Sequence, residues 1–433
     1  MKPKILLVNP PIYDFAAYDF WLKPYGMLTV AGYLRGKGDF RLFDYLDRRH
    51  PFVLAQEKLA SDRWTRGRFY CENISRPAVL EVIPRHFRRF GLPRYMFADF
   101  LKSEGHFDLV FIQTTMTYWY QGIQEVIEDI RKTSPKAKIV LGGNYVTLCP
   151  DHARTPGADF LVSGTELRPL WEYLQIHPDL TQPPLWEVYP ELAAGVLKLT
   201  DGCPFKCTYC SVPKVYGKFE SRPVEHSLAE LELLCERRAG NIAFYDDALL
   251  FEADKTLIPF LDEVLSRNLQ VNFHTPNALN ARFITAGLAE LMVRAGFKTF
   301  YLGFESGSVQ WQKLTGSKVF SEELTRAVEH LTAAGAEPAN ITAYQILGHP
   351  RIGIQELETS MRFVHSLGIR GMLADFSPIP GTPDGECCRK WIDMDEPLMH
   401  NKTAFPIILL GFDETNRLKD LQRKLNRSLP SIR

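Results

Sequence analysis

The sequence predicts an α/β protein in which a doubly wound parallel sheet is followed by a partial (β/α)6 barrel of the TIM type. Strand and helix patterns alternate in two series along the 433 residues, and a proline-rich stretch separates the series. A chain of this length also exceeds the size at which one hydrophobic core stops growing. We therefore expect domains at 1–172 and 193–385, a linker at 173–192, and a C-terminal tail at 386–433 that covers the barrel mouth.

The first series contains five short strand patterns. They are predicted at 4–8, 41–45, 109–113, 138–141 and 160–163, with helices at 27–35 and 121–132. Strands that alternate with helices favour parallel pairing. Residues 51–103 interrupt the rhythm with aromatics, arginines and little periodicity, so an irregular insertion is expected there.

The second series has six strand patterns separated by helical ones. The strands are predicted at 196–200, 241–246, 270–274, 299–305, 340–347 and 371–377. Six β/α units make a barrel that is short of the closed eightfold form, and its chemistry is expected at the carboxyl ends of the strands. In the tail, one clear helix is predicted at 414–426.

Composition excludes several classes of protein. Lys+Arg and Asp+Glu both number 51, so no overall field attracts nucleic acid or a membrane surface. No apolar stretch is long enough for a membrane helix, and the first residues do not resemble a signal peptide. Eight cysteines in such a chain favour metal or catalytic use in a reducing compartment, which predicts a cytoplasmic protein. The substrate is expected to be a small molecule of unknown type.

Three cysteines, Cys203, Cys207 and Cys210, lie on one short loop directly after the first predicted barrel strand. Three thiolates there could ligate three corners of an iron–sulfur cubane and leave the fourth iron open. A zinc site is the main alternative, although no fourth Cys or His has the usual spacing. A redox dithiol would leave the third thiol unexplained.

The spacing of these cysteines, with Tyr209 before the last, resembles the signature of the radical S-adenosylmethionine (SAM) superfamily, over about residues 195–385. The resemblance implies a 4Fe-4S cluster on the three thiolates, with SAM bound at the open iron beside Tyr209. It also implies reductive cleavage of SAM to methionine and a 5′-deoxyadenosyl radical. An electron donor such as flavodoxin or ferredoxin is then expected.

Later strand ends carry further resemblances to this superfamily. Asp246 and Asp247 match a second-strand motif that reaches the SAM amino group, although a turn or helix cap explains them equally well. Glu305 and Ser306 match a fourth-strand motif directed at the ribose hydroxyls or carboxylate. Gly348 falls in the segment that lies along adenine, and the Pro-Gly-Thr-Pro turn at 380–383 resembles a sixth-strand signature of the cobalamin-dependent branch.

The first domain resembles the cobalamin-binding-like domain found upstream of many such barrels. The residues predicted to contact cobalamin are Asn9, Gly26, Gly142, Gly143, Tyr145, Thr147, Gly164 and Glu166. They follow predicted strands, where ligands of doubly wound sheets bind. The paired glycines are equally well explained by a tight turn. Because the chain has no DxHxxG motif, no histidine ligand to cobalt is expected.

Three functional hypotheses follow. The first is a radical SAM enzyme that functionalises an unactivated C–H bond, with cobalamin-dependent C-methylation as its specific form. The second keeps the radical chemistry but leaves the first domain empty, and the third is a non-catalytic iron–sulfur or redox sensor. The sequence assigns no catalytic side chain. His274 is interpreted equally well as a proton-transfer or a structural residue, and Cys387 and Cys388 as inert thiols.

Overall fold

The computed structural model describes residues 2–429, so residue 1 and residues 430–433 of the predicted domains lie outside it. The chain folds as two compact units. The first holds the residues up to Gly195 with Glu232–Ala239 and Glu396–Met399; the second holds Val196–Leu231, Gly240–Asp395 and the chain from His400 on. No helix within residues 2–429 is both long enough and apolar enough to cross a membrane.

The first unit is built on a five-stranded parallel sheet in the order β5-β4-β3-β1-β2. The strands are β1 (Lys4–Asn9), β2 (Asp39–Asp44), β3 (Leu109–Thr114), β4 (Lys138–Gly143) and β5 (Phe160–Val162). The helices are α1 (Tyr25–Gly32), α2 (Arg94–Glu104), α3 (Tyr120–Thr133), α4 (Asn144–Leu148) and α5 (Arg168–Leu174). This order places the switch point of the sheet between β1 and β3, and it confirms the predicted doubly wound class.

Hydrophobic periodicity explains how these elements pack. In α3 the buried side chains are Ile123, Val126, Ile127 and Ile130, a spacing that places them on one helix face. They pack in the same core as alternating residues of β1, including Leu6 and Val8. Arg131 and Lys132 in the last turn complement the negative end of the helix dipole.

The predicted insertion at 51–103 is only partly irregular. Its last residues form the regular helix α2, which connects β2 to β3 and buries Phe97 and Leu101 in the first core. Two of its strands, Cys71–Ile74 and Phe87–Phe90, form a small antiparallel sheet with residues just after β1. The expectation of an irregular segment is therefore wrong for residues 94–103, because the aromatic side chains obscure a helical period.

Residues 173–192 do not form a free linker. Trp186 and Tyr189 are buried, and Arg35 donates two hydrogen bonds to the carboxylate of Glu187. Gly32 in α1 lets the segment pass, because a Cβ there would lie 2.2 Å from the carbonyl oxygen of Pro183. The apolar residues among the prolines fix this segment on the first unit.

The second unit holds the partial barrel, apart from the first two residues of its first strand, and the strands lie side by side in chain order. They are β6 (Ala194–Leu197), β7 (Asn241–Phe244), β8 (Asn272–His274), β9 (Phe297–Glu305), β10 (Ile341–Leu347) and β11 (Arg370–Asp375). Neighbours from β7 to β11 are parallel, and a two-residue strand, Leu279–Asn280, also pairs with β9. The predicted barrel class is confirmed.

Helices cover the outside of this sheet. They are α6 (Val224–Glu236), α7 (Leu257–Ser266), α8 (Ala286–Arg294), α9 (Val309–Thr315), α10 (Ser321–Ala333), α11 (Ile354–Ser366), α12 (Ala404–Leu410) and α13 (Phe412–Arg427). The phenylalanine rings of Phe244, Phe273 and Phe297 pack against one another across neighbouring strands. Such side chains favour a buried sheet, because they fill the space between the strands and the helices.

The tail differs from its expectation. Pro406 of α12 lies against Gly348, just beyond β10, but α13 packs on the outer face of the barrel. There Leu418 joins a cluster with Leu347, Leu357 and Met361. The prediction that the tail covers the barrel mouth is therefore wrong for α13, whose apolar stripe is buried against α11 and β11 instead.

Candidate functional site

The three cysteines lie where the sequence predicts them, on the loop after β6. Gly202 (φ +74°) turns the chain into this loop, and a Cβ there would lie 2.3 Å from the carbonyl oxygen of Lys218. All three thiols are free and partly buried. Within residues 2–429 no three His, Cys, Asp or Glu side chains are placed to hold a single metal ion. A cubane cluster does not require the three thiolates to meet at one metal ion, because each thiolate binds a different iron.

Burial raises the pKa of all three thiols, in the case of Cys210 to about 12. The ammonium of Lys318 opposes this effect and lowers the pKa of each. Metal binding requires thiolates, so a nearby positive charge favours the metal-binding form. The loop therefore combines shielding from water with a cation that stabilises its charged state.

Lys318 is a functional candidate that the sequence did not reveal. Its Nζ donates to Glu305 Oε1 at 2.9 Å. Gly303, two residues before Glu305, makes room for it, because a Cβ there would lie 2.7 Å from Nζ. The glycine of this fourth-strand motif thus has a physical reason. In the sequence, Gly303 is the one signal that another side chain packs against β9 at this position.

Glu305 has a backbone conformation that supports a functional role. Its φ is +60°, which a residue other than glycine adopts at a cost of about 1–3 kcal/mol. The pairing with β10 shifts register between Gly303 and Glu305. A β-bulge at the end of a strand redirects a side chain, and here the redirected side chain is the carboxylate that pairs with Lys318.

Five buried polar atoms along the strands of the barrel, towards their carboxyl ends, have no hydrogen-bond partner among the described residues. One is Asp375 Oδ1, whose second oxygen pairs with Lys419, and the other four belong to more deeply buried side chains. They are Asp246 Oδ2, Asn280 Nδ2, Glu305 Oε2 and Gln345 Oε1. All four side chains are at least nine-tenths buried. Leaving such a group unpaired costs about 1–3 kcal/mol, so four in one region indicate a ligand site. Asn280 and Gln345 were missed by the sequence analysis.

The two aspartates after β7 differ in their bonding. Oδ1 of Asp246 accepts hydrogen bonds from the backbone N–H groups of Leu199 and Thr200, so half of this carboxylate holds the loop together. Burial raises the pKa of Asp247 to about 6, although Lys198 opposes the shift. Asp246 is thus both structural and available on its second oxygen.

The other predicted SAM contacts already have partners. Ser306 Oγ lies 3.1 Å from Glu356 Oε1, and the ring of Tyr209 stacks on Trp311 with centroids 5.7 Å apart. Gly348 (φ +80°) faces Pro406, since a Cβ there would lie 2.7 Å from the proline side chain. The glycine therefore has a packing reason in addition to the predicted ligand approach. The SAM-binding roles of these residues stay predictions.

Two weaker sequence candidates have structural explanations. His274 is fully buried, and its ring nitrogens lie 2.9 Å from Thr299 Oγ1 and 3.0 Å from Asn241 Oδ1. It lies in the interior between strands, which supports the structural interpretation. Cys388 is buried and Cys387 is exposed.

In the first unit, the polar side chains predicted to contact cobalamin are engaged within the unit. Asn9 donates to Asp44 Oδ1 at 2.7 Å, and the hydroxyl of Tyr145 lies 2.6 Å from His152 Nδ1. Thr147 Oγ1 donates to Gly143 O and accepts from Gly164 N. Glu166 is exposed and accepts from Arg168 N with one of its oxygens. Each is sufficiently explained by the fold.

The glycines of this region fall into two groups. Gly143 (φ +119°) is required by the backbone, because a Cβ would lie 2.1 Å from the carbonyl oxygen of Thr114. Gly142 and Gly26 have space, with nearest atoms at 3.4 and 3.7 Å. Gly164 has a φ of +66°, a left-handed conformation that favours glycine. Gly142 and Gly26 are thus the two at which neither the backbone conformation nor a steric clash requires glycine.

A cavity opens at the switch point of this sheet. Asn9, Gln113 and Thr114 line it together with residues after β1, and its volume is about 10 Å³. Doubly wound sheets bind ligands at this position. A cavity of this size has room for about one water molecule and is far below the range of about 300–1,000 Å³ that is usual for small-molecule pockets.

Comparisons with known proteins agree with the sequence motifs. Residues 197–364 match the Radical SAM superfamily. An uncharacterized methyltransferase of Pyrococcus horikoshii, PH0819, is 26% identical over 43% of this chain and 40% of its own length. The threonylcarbamoyladenosine tRNA methylthiotransferase MtaB of Thermotoga maritima is 23% identical over 60% of this chain and 64% of its own. The chain thus spans less than two thirds of these relatives.

Two solved structures share the fold. The radical SAM methyltransferase TsrM from Kitasatospora setae, with cobalamin and a [4Fe-4S] cluster bound, has a TM-score of 0.68 at 14% identity and covers 100% of this chain and 94% of its own. The cobalamin-dependent SAM radical enzyme OxsB has a TM-score of 0.59 at 15% identity, over 98% of this chain and 61% of its own. Residues 197–364 of the barrel, with their three-cysteine loop, thus form a radical SAM domain.

Proposed function

We propose that this protein is a radical SAM enzyme that cleaves SAM reductively at a 4Fe-4S cluster held by Cys203, Cys207 and Cys210. The observation that carries the proposal is the set of four unpartnered, buried polar atoms at the strand ends of the barrel. A polar ligand would satisfy them, and SAM offers an ammonium, a carboxylate and ribose hydroxyls. A sensor would need the cluster but no such set of polar groups.

The residues have separate roles in this proposal. The cluster supplies the electron that cleaves SAM, and the protein binds and orients the molecule. Oδ2 of Asp246 and the carboxylate of Asp247 accept hydrogen bonds from the SAM ammonium. Oε2 of Glu305 accepts from ribose hydroxyls, while Lys318 holds its other oxygen in place. The amide of Asn280 adds a donor.

We extend the proposal to cobalamin-dependent methyl transfer onto a carbon atom of a small molecule. Its support is the likeness of fold over the whole chain to TsrM and OxsB, together with methyltransferases and methylthiotransferases among the relatives. Cobalamin would carry the methyl group. Neither steric crowding nor a positive φ requires glycine at Gly142 or Gly26, which leaves the approach of a ligand as a reason for them. Flavodoxin or ferredoxin as electron donor and a cytoplasmic location stay predictions.

A second candidate keeps the SAM chemistry without cobalamin, for a rearrangement, an oxidation or carbon–carbon coupling. The observation in its favour is that Asn9, Tyr145 and Thr147 already have hydrogen-bond partners within the first unit. A ligand there would have to bind through backbone and shape. Anaerobic incubation with hydroxocobalamin, followed by gel filtration and an absorbance spectrum, separates the two candidates. Retained corrinoid supports methyl transfer, and its absence supports the second candidate.

The cluster assignment is tested with Cys207→Ala. Loss of one of three thiolates should abolish cluster absorbance and reduce the yield of 5′-deoxyadenosine from SAM to background. The loop has no fourth cysteine that could replace the missing ligand. Cys387→Ala, which removes an exposed thiol, is the matched control and should keep both. Iron and sulfide are measured after anaerobic reconstitution. Full cluster content and SAM cleavage in Cys207→Ala would refute the assignment.

A further inference from the structure

A buried hydrogen-bond network joins the cysteine loop to the turn that follows β11. Thr208, between Cys207 and Cys210, donates from Oγ1 to Asp384 Oδ2. The backbone N–H of Asp384 donates to the carbonyl oxygen of Thr208 at 3.1 Å, and the N–H of Thr208 donates to Thr315 O at 3.2 Å. Every polar group of Thr208 is therefore held, two of the three by Asp384.

His349 is the second side chain that contacts Asp384 Oδ2. Nδ1 of His349 accepts from the indole N–H of Trp311 at 3.3 Å and from the backbone N–H of Arg351 at 3.2 Å. Both partners only donate, so the ring proton belongs on Nε2, which lies 3.2 Å from Asp384 Oδ2. The side chains of His349 and Asp384 are fully buried. Neither can exchange protons with a substrate.

The proline-rich turn positions Asp384. Thr382 Oγ1 accepts from the N–H of Gly385 at 3.1 Å and donates to Ile379 O at 2.8 Å. A Cβ on Gly385 would lie 1.9 Å from that same carbonyl oxygen. Each of these contacts tightens the turn around residue 384. The sixth-strand signature thus has a physical consequence in this chain, the fixed direction of one buried carboxylate.

We propose that Asp384 is a positioning residue for the iron–sulfur cluster: it fixes the loop between Cys207 and Cys210 through Thr208, and its buried negative charge keeps the reduction potential of the cluster low. Groups behind metal ligands orient those ligands, and nearby charge tunes iron–sulfur potentials. Burial tends to raise the pKa of Asp384, but the hydrogen bonds from His349 and Thr208 outweigh it and lower the pKa, helped by the Arg351 guanidinium 3.3 Å from Oδ1. The carboxylate is therefore charged, and its loss would leave the positive charge of Arg351 uncompensated. The inference rests on the proposed cluster.

Asp384→Asn separates charge from hydrogen bonding, since the amide oxygen can still accept from Thr208 and His349. We expect a loaded cluster that is easier to reduce. At a fixed poise, the ratio of reduced to oxidised cluster should rise severalfold; a tenfold rise corresponds to about 59 mV for one electron. The control is Glu386→Gln, which removes a charge from the same short turn where the carboxylate contacts Gly381 and Arg389. Potentiometric titration followed by paramagnetic resonance measures both variants.

Thr208→Val removes the hydroxyl and leaves the charge of Asp384. It should change the g-values of the reduced cluster and speed iron loss to a chelator severalfold, and Thr208→Ser should restore both. Even if Asp384→Asn does not fold, this pair decides whether the bond from Thr208 fixes the loop between Cys207 and Cys210. If wild type holds no cluster, the proposed function itself fails. If a loaded wild type, Asp384→Asn and Thr208→Val all match Glu386→Gln in potential, g-values and chelation rate, the positioning role alone is wrong.

Discussion

The strand ends of the two units satisfy their polar groups in different ways. In the barrel, Asp246, Asn280, Glu305 and Gln345 each leave one buried polar atom unpartnered among the described residues. In the first unit, Asn9, Tyr145 and Thr147 are bonded within their own domain. Since an unpaired buried polar group costs free energy, the barrel carries the signature of a polar ligand. The first unit has unpartnered atoms too, such as the hydroxyl of Tyr45 in its core, but Asn9, Tyr145 and Thr147 do not carry this signature.

Glu305→Gln tests the barrel side of this contrast and should have the largest effect. The amide replaces only part of the acceptor capacity offered to ribose hydroxyls and leaves the Lys318 ammonium without its ion pair. A hydrogen bond to a charged group contributes about 1.5–3 kcal/mol, so SAM affinity should fall roughly ten- to a hundredfold. Equilibrium binding to cluster-loaded protein measures it. The control is Glu322→Gln, on the exposed first turn of α10. Equal affinity in both variants would return Glu305 to a structural role.

Two neighbouring glycines test the first unit. Gly143→Ala should destabilise it, because the conformation at φ +119° is nearly restricted to glycine and the added Cβ meets the backbone of Thr114. Such strain costs about 1–3 kcal/mol, and each kcal/mol lowers the Tm by roughly 2–4 °C in a domain of this size. Gly142→Ala should melt close to wild type.

Gly142 is therefore the position at which a bulky residue tests cobalamin. Gly142→Leu should reduce corrinoid uptake while SAM cleavage continues, if the ligand approaches the backbone there. Thermal unfolding of the apo protein serves as the control for folding. Equal destabilisation by Gly142→Ala and Gly143→Ala would remove the distinction between the two glycines.

The sequence predicted what depends on local pattern. Alternating strands and helices predicted both folds, and the spacing of Cys203, Cys207 and Cys210 predicted their common loop. Lys318 and Asp384 escaped because their importance arises from contacts between elements, across Gly303 and with Thr208. No spacing in the chain encodes such contacts.

Errors in the sequence analysis came from similar causes. The aromatic residues of the insertion hid the helical period of α2. The prolines of 173–192 predicted a linker, although its apolar residues bury the segment on the first unit. For α13 the amphipathic pattern predicted the helix correctly but could not say which surface it would cover. In each case the missing information was the identity of the neighbouring element.

Asp247 offers the smallest effect and shows how the barrel site trades stability for binding. Burial raises its pKa to about 6, so between about pH 4 and 6 the folded protein keeps a proton that the unfolded chain has lost. The stability contributed by this group is present below about pH 4 and is lost as the pH rises through 6. Asp247→Asn should therefore unfold at a higher temperature than wild type at pH 7.5, by roughly 2–4 °C for each kcal/mol of relieved burial, and the gain should vanish near pH 4.

The same substitution should weaken SAM binding at pH 7.5, because an amide attracts the SAM ammonium less than a carboxylate does. Asp254→Asn, at an exposed position just before α7, is the control and should alter neither quantity. Calorimetry across this pH range, with and without SAM, measures both. A stability gain without loss of SAM affinity would mean that Asp247 does not face the ligand, and Asp246 alone would then remain as the acceptor after β7. A loss of affinity without a stability gain would mean that water or a neighbouring cation already solvates the Asp247 carboxylate in the free protein.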